Sequence, residues 1–136
     1  MNDLQVGYAQ VNINPPLGIG VCGYYVPRFA KGILDDLEAS ALLLSCNEKQ
    51  IVLISVDCCG IDLELVTRYC ADIEKAAGVP AENIFLSATH SHTGGLLMPT
   101  SAFEADEPMI KRYAEFVGER LVDAVKLALA DLKPAR

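Results

Sequence analysis

Two apolar segments separated by a short polar stretch constrain the fold of this chain more than any other feature. Leu37 to Cys46 is rich in Leu and Ala, Gln50 to Val56 is rich in Ile, Val and Leu, and Asn47-Glu48-Lys49 lies between them. This spacing predicts a hairpin of two strands joined by a short turn. The second segment is almost continuously apolar, which is typical of a strand covered on both faces, so we expect helices to pack on the sheet.

Two other segments have helical periodicity. Asp62 is placed to cap a helix that runs to about Ala77 and stops at Gly78. The apolar face of this helix is expected to contain Leu65, Val66, Tyr69, Cys70 and Ile73. A longer helix is predicted from Asp106 and Pro108 to about Leu132. Its expected apolar face consists of Met109, Tyr113, Phe116, Val117, Leu121, Val125, Ala128 and Leu129.

The remaining pattern completes an α/β fold. Strands are predicted from Gln5 to Ile13 and from Asn83 to Thr89, with an irregular, glycine-containing loop from Leu17 to Asp36. No repeat or linker interrupts the sequence, so we expect a single domain over residues 1–136. The expected architecture is a mixed sheet of four or more strands flanked by helices.

Charge and cysteine content limit the possible partners and location. The net charge of −7 and the pI near 4.7 argue against binding to nucleic acid or to anionic membrane surfaces, both of which need a basic face. No apolar stretch is long enough for a membrane span. The five cysteines form neither a CxxC nor a zinc-finger spacing. We therefore expect reduced thiols and a cytoplasmic protein.

The only two histidines, His90 and His92, follow the strand predicted to end at Thr89. Because alternate residues of a strand face the same side, both imidazoles are expected to face one cavity. Such a pair either binds a metal ion, for which imidazole favours zinc, or forms ordinary hydrogen bonds to carbonyl groups and water. The clustering of the pair beside threonines and the paired glycines Gly94-Gly95 favours a site.

Asp57 is a second candidate, because it directly follows the apolar strand and sites in α/β proteins gather at strand ends. Its carboxylate either binds metal or orients a histidine, or it caps a turn or the next helix. Cys58 and Cys59 offer a thiol that a histidine could activate as a nucleophile. A cysteine beside a buried strand is, however, typically a small apolar filler, so we favour that interpretation for both.

Several segments carry a family resemblance through their order and spacing. They are Gly7-Tyr8-Ala9, Asn12 to Pro16, Gly23-Tyr24, Leu37 to Leu42, Val52 to Asp57 and, most specifically, Asn83 to Gly94 with Thr89-His90-Ser91-His92. On these segments the chain resembles the N-terminal part of the catalytic domain of the neutral or alkaline non-lysosomal ceramidases. Where the family typically reads Thr-His-Thr-His-Ser-Gly-Pro, this chain exchanges the hydroxyl residues at Ser91 and Thr93 and has Gly95 in place of proline.

The resemblance implies a zinc-dependent hydrolase that cleaves a linear N-acyl amide, ceramide-like, through metal-activated water. It implies one zinc ion, His90 as a metal ligand and His92 as a catalytic partner that donates a hydrogen bond or shuttles a proton. Asp57 joins them as a candidate catalytic residue. The substrate is expected to be a small-molecule or lipid-like N-acyl compound, and further zinc ligands are implied in a later part of a longer chain.

Two other functions stay open from the sequence. Because catalytic zinc usually has three protein ligands, a chain with two histidines also suits a non-catalytic domain that binds metal or a small molecule. A third possibility is a truncated scaffold that forms homo-oligomers through an unpaired sheet edge or exposed apolar surface.

Overall fold

The computed structural model describes residues 4–103 and 107–135. Its strands are β1 (Gln5–Asn12), β2 (Glu38–Cys46), β3 (Lys49–Val56), β4 (Ile84–Ala88) and β5 (Lys133–Pro134), and its helices are α1 (Leu63–Ala77) and α2 (Pro108–Ala130). The strands form one sheet in the order β4-β3-β2-β1-β5, in which only the β3–β4 pair is parallel. The expected α/β class with a mixed sheet is therefore confirmed.

Strands β2 and β3 form the predicted hairpin, with Leu42 opposite Leu53. Asn47 and Glu48 form the turn with φ values of 48° and 66°. These left-handed conformations are typical of two-residue hairpin loops, because they match the twist of the flanking strands. The turn is one residue shorter than predicted, because Lys49 already belongs to β3. The strands predicted to end at Ile13 and Thr89 likewise each end one residue earlier.

The sheet is covered on one face only within the described residues. Val52, Ile54 and Val56 are buried under the helices, whereas Ile51 and Leu53 on the opposite face of β3 are 40% and 42% exposed. The expectation that β3 is covered on both faces is therefore wrong for this part of the chain, because α1 and α2 pack together on the same side. The open face carries an apolar row in register across four strands, formed by Tyr8, Leu42, Leu53 and Phe85.

Helix α1 has the predicted bounds because both of its ends are capped. The Asp62 carboxylate accepts a hydrogen bond from the Glu64 amide at 2.9 Å, which satisfies a free donor of the first turn. Gly78 ends the helix in the left-handed conformation with φ 75°, and its amide donates to the Glu74 carbonyl. The predicted face is confirmed at its centre, where Tyr69 and Ile73 are buried.

Helix α2 begins at Pro108, and Asp106, the other predicted start residue, lies outside the described residues. Its predicted apolar face is wrong at Met109 and Phe116, which are each 37% exposed. The helix instead turns small residues toward α1: a side chain at Gly118 would meet the Tyr69 ring at 2.8 Å, and the Tyr69 hydroxyl donates to the Ala114 carbonyl. The buried face comprises Ile110, Tyr113, Ala114, Val117, Gly118, Leu121, Ala124, Val125 and Ala128.

Neither helix of the described residues is both long and apolar enough to cross a membrane. All five cysteines lie within the described residues and have free thiols. The single domain over residues 1–136, the cytoplasmic location and the homo-oligomer stay predictions.

Candidate metal centre

The candidate site lies where the two parallel strands end. Beyond Val56 and Ala88 the chain forms two loops that remain hydrogen-bonded to each other. The Thr89 amide donates to the Val56 carbonyl at 3.0 Å, and the Ser91 amide donates to the Cys58 carbonyl at 3.1 Å. These bonds hold residues 57–59 beside residues 89–92 at the carboxyl ends of the strands, which is where α/β sheets usually bind ligands.

The imidazole rings of His90 and His92 lie together as expected, with their centroids 4.9 Å apart and their planes at 74°. Strand alternation is not the reason, so that part of the prediction is wrong: β4 ends at Ala88, and His90 has a φ of 65°. The left-handed conformation costs a residue with a side chain about 1–2 kcal/mol. Backbone strain of this kind clusters at functional sites.

A hydrogen bond to the backbone fixes the ring of His90. Its Nδ1 atom lies 2.7 Å from the carbonyl oxygen of Cys59. Because a carbonyl oxygen only accepts, Nδ1 carries the proton and donates it. Nε2 then has a free lone pair, and a backbone partner on the other ring nitrogen is the usual arrangement of a histidine that binds metal.

Cys59 lies beside the two histidines. Its Sγ lies 3.8 Å from His90 Nδ1, and one ligand atom from each of Cys59, His90 and His92 lies within 4.8 Å of the other two. The apolar-filler interpretation describes only part of the surroundings of Cys59, which also packs against the hydrophobic core. It does describe Cys58, which is fully buried and whose thiol pKa burial raises to about 12. The signal for Cys59 was present in the sequence, since it follows β3 just as the histidines follow β4.

The loop predicted from Leu17 to Asp36 lies against His92. Gly23 has a φ of 96°, and a Cβ there would lie 2.4 Å from the Cγ and Nδ1 atoms of His92. Only glycine therefore permits this approach. The Tyr24 ring packs edge-on against the imidazole at 6.1 Å, and the Arg28 guanidinium lies 3.8 Å from the centre of the Tyr24 ring. The cation–π contact holds the Tyr24 ring beside His92.

Asp57 lies near the two loops, but its carboxylate is bound to the backbone. Its Oδ2 atom accepts a hydrogen bond from the Glu38 amide at 3.0 Å, and its own amide donates to the Glu38 carbonyl at 3.0 Å. This pair of bonds ties the end of β3 to the start of β2. The catalytic role proposed for Asp57 from the sequence stays a prediction.

The donor set fits zinc. Imidazole nitrogen and thiolate sulfur are typical zinc ligands, whereas magnesium and calcium need oxygen ligands. Ideal tetrahedral geometry places such ligand atoms roughly 3.4 to 3.6 Å apart. The observed upper limit of 4.8 Å exceeds this by little more than an ångström. Because His92 is exposed and Cys59 is half-buried, rotation of these two side chains can close that gap while His90 keeps its hydrogen bond to the Cys59 carbonyl.

Comparison with solved structures shows that the described sheet and helices have the fold of part of a ceramidase. Neutral ceramidase from Pseudomonas aeruginosa matches with a TM-score of 0.83 and 21% identity, over 98% of this chain and 22% of that one. A ceramidase complexed with C2 matches with a TM-score of 0.81, the same identity and the same coverage of both chains. The chain thus spans about a fifth of the length of these proteins. No protein-family model matches the sequence.

Proposed function

We propose that this chain supplies part of the active site of a zinc-dependent hydrolase that cleaves a linear N-acyl amide of the ceramide type. One observation carries the proposal: His90 and His92 lie side by side at the carboxyl ends of two parallel strands, with His90 Nε2 free to bind metal. The shared fold with ceramidases supports the class of reaction. The activity of those proteins belongs to chains about five times as long, so hydrolysis is a proposal for this one.

Each residue has a distinct role in the proposed reaction. Zinc, when bound, supplies the Lewis acidity that activates water and polarises the amide carbonyl. His90 holds the metal through Nε2 while the Cys59 carbonyl keeps its ring in place. His92, which is exposed and packed against Tyr24, is positioned to donate a hydrogen bond to the substrate carbonyl or to move a proton to the leaving amine.

The surface around His92 supports a lipid-like substrate. The loop that contacts this histidine exposes several large apolar side chains, which are Tyr24, Tyr25, Val26, Phe29, Ile33 and Leu34. Exposed apolar groups gathered in one segment are typical of a surface that binds an apolar partner. In the proposed function this surface contacts the hydrocarbon chains of the N-acyl substrate.

The direct test is hydrolysis of a short-chain N-acylsphingosine by the zinc-loaded protein, followed as release of free sphingosine. We expect zinc-dependent release, and a roughly 10²- to 10⁴-fold lower rate for His92→Ala, because this variant removes a proton-transferring group. Lys126→Ala, on the exposed side of α2, is the matched control and should keep the rate. Zinc binding without any sphingosine release would contradict the hydrolase and favour a non-catalytic metal-binding domain.

A further inference from the structure

We propose that Cys22 and Cys59 form a reversible disulfide bond, so that this pair is a site of oxidation by glutathione disulfide beside the two histidines. The inference goes beyond the proposed hydrolysis, because it concerns the redox state of two thiols and requires no bound metal. All five cysteines are free thiols, so the structure describes the reduced form of the pair.

The backbone brings the segments of the two cysteines together. The Cys22 amide donates to the Gly94 carbonyl at 3.2 Å. Gly94 lies directly against the segment that precedes Cys59, since a Cβ at this glycine would lie 2.8 Å from the Asp57 carbonyl oxygen. The loop that contains Cys22 is therefore packed onto the ends of β3 and β4, where Cys59 lies.

The side chains complete this contact. The Cys22 thiol is 3% exposed and lies against the Cys59 thiol, which is half-buried. A disulfide tolerates only a narrow range of separations, and thiols in side-chain contact meet this requirement. Cys58 also follows β3, but it is fully buried in the core, so an oxidant in solution reaches Cys59 and not Cys58.

Burial divides the reaction between the two thiols. The more exposed Cys59, as thiolate, attacks glutathione disulfide, which forms a mixed disulfide and releases one glutathione thiolate. The Cys22 thiolate then attacks the Cys59 sulfur and displaces the second glutathione thiolate. The two cysteines lose two electrons, and their two protons pass through solvent to the glutathione that is reduced.

The second step depends on proximity. Burial raises the pKa of the Cys22 thiol to about 11, so little thiolate is present to react with a molecule from solution. Attack on a mixed disulfide held against it is an intramolecular step, which a high effective concentration accelerates. Cys22 therefore reacts with Cys59 rather than with glutathione.

The disulfide would join the two backbone segments that position the histidines. Gly23, next to Cys22, lies against the His92 ring. The Cys59 carbonyl accepts the hydrogen bond from His90 Nδ1. Formation of the disulfide therefore changes the surroundings of both imidazoles.

The test equilibrates the purified chain with glutathione buffers of increasing oxidised fraction, then alkylates the remaining thiols and digests the chain with trypsin. We expect two of the five thiols to become protected from alkylation. Mass spectrometry should show a cross-link between peptides 1–28 and 50–68, which contain Cys22 and Cys59. Reduction with dithiothreitol should restore all five thiols.

Variants identify the second cysteine, because peptide 50–68 also contains Cys58. The cross-link should persist in Cys58→Ala and in the control Cys70→Ser, and it should be absent from Cys59→Ser. The imidazole NMR signals of the two histidines provide an independent readout. We expect both to shift on oxidation of the wild type, to return on reduction, and to stay unchanged in Cys59→Ser treated in the same way.

Three results would each overturn the inference: five free thiols in fully oxidised buffer, a lasting mixed disulfide of Cys59 with glutathione, or a cross-link retained in Cys59→Ser. A cross-link that leaves both imidazole signals unchanged would contradict its effect on the site. None of these results bears on the proposed function, which zinc content and sphingosine release measure separately. Circular dichroism of each variant verifies that the fold is retained.

Discussion

The contact between Gly23 and His92 shows how a single residue shapes the site. A side chain at position 23 would need the space that the imidazole of His92 occupies, at 2.4 Å from two ring atoms. Gly18 has a similar φ, 89° against 96°, but a side chain there would meet nothing within 4 Å. Substitution of each glycine in turn therefore separates the cost of backbone strain, which both positions share, from displacement of the His92 ring, which only position 23 causes.

We predict that Gly23→Ala and Gly18→Ala each lower the free energy of unfolding by roughly 1 kcal/mol or more, because both force alanine into the left-handed region. Only Gly23→Ala should also weaken zinc binding, because it displaces the His92 ring. Denaturant unfolding and competition for zinc against a chromophoric chelator measure the two effects. Equal zinc affinity in the two variants would contradict the role assigned to Gly23.

At this scale the sequence predicted the histidine pair but not its geometry. Two histidines with one residue between them after a strand indicate a site, and the structure brings them together. The left-handed backbone of His90 has no such signal, because it depends on hydrogen bonds between Ser91 and Cys58 and between His90 and Cys59. Cys59 was considered from the sequence as a thiol or an apolar filler, but its position beside His90 depends on which loop lies next to it.

Strand β3 is the element whose prediction differed most from the structure. Its apolar run indicated burial on both faces, but alternate residues divide between a covered and an open face, with Ile54 buried and Leu53 partly exposed. Hydropathy alone does not reveal what covers a face. Helix α1 was predicted well because its bounds depend on local signals, the Asp62 cap and Gly78, whereas the contact face of α2 depends on its packing against Tyr69.

Adjacent residues of β3 provide a matched test of the two faces. We predict that Ile54→Ala lowers the free energy of unfolding by about 2–5 kcal/mol, since it opens a cavity in the core. Leu53→Ala should cost under about 1 kcal/mol, as is usual for a partly exposed side chain. Chemical denaturation of both variants measures the difference.

A different result for Leu53 would be informative about assembly. If Leu53→Ala cost as much as Ile54→Ala, the open face would be covered in solution. A melting temperature that rises with protein concentration would then identify a second copy as the cover, because association stabilises the folded state by mass action. That pair of results would favour the scaffold interpretation.

At the scale of the whole molecule, the described residues combine a sheet covered on one side with a site at the end of the parallel strand pair β3–β4. The order β4-β3-β2-β1-β5 places the ends of β3 and β4 next to each other at one edge of the sheet. The loop from Leu17 to Asp36 reaches that edge and places Gly23 and the Tyr24 ring against His92. The chain spans about a fifth of the ceramidases that share this fold, and within that fifth it carries the histidine pair on which the proposed function depends.

The central claim is that these residues bind zinc, and the zinc content of the purified chain tests it most directly. The wild type, His90→Ala and the control Cys70→Ser are purified without chelator or added metal and analysed for zinc. The account predicts about one zinc ion per chain in the wild type and in the control, and its loss in His90→Ala. A metal-free wild type, or zinc retained in His90→Ala, would contradict it.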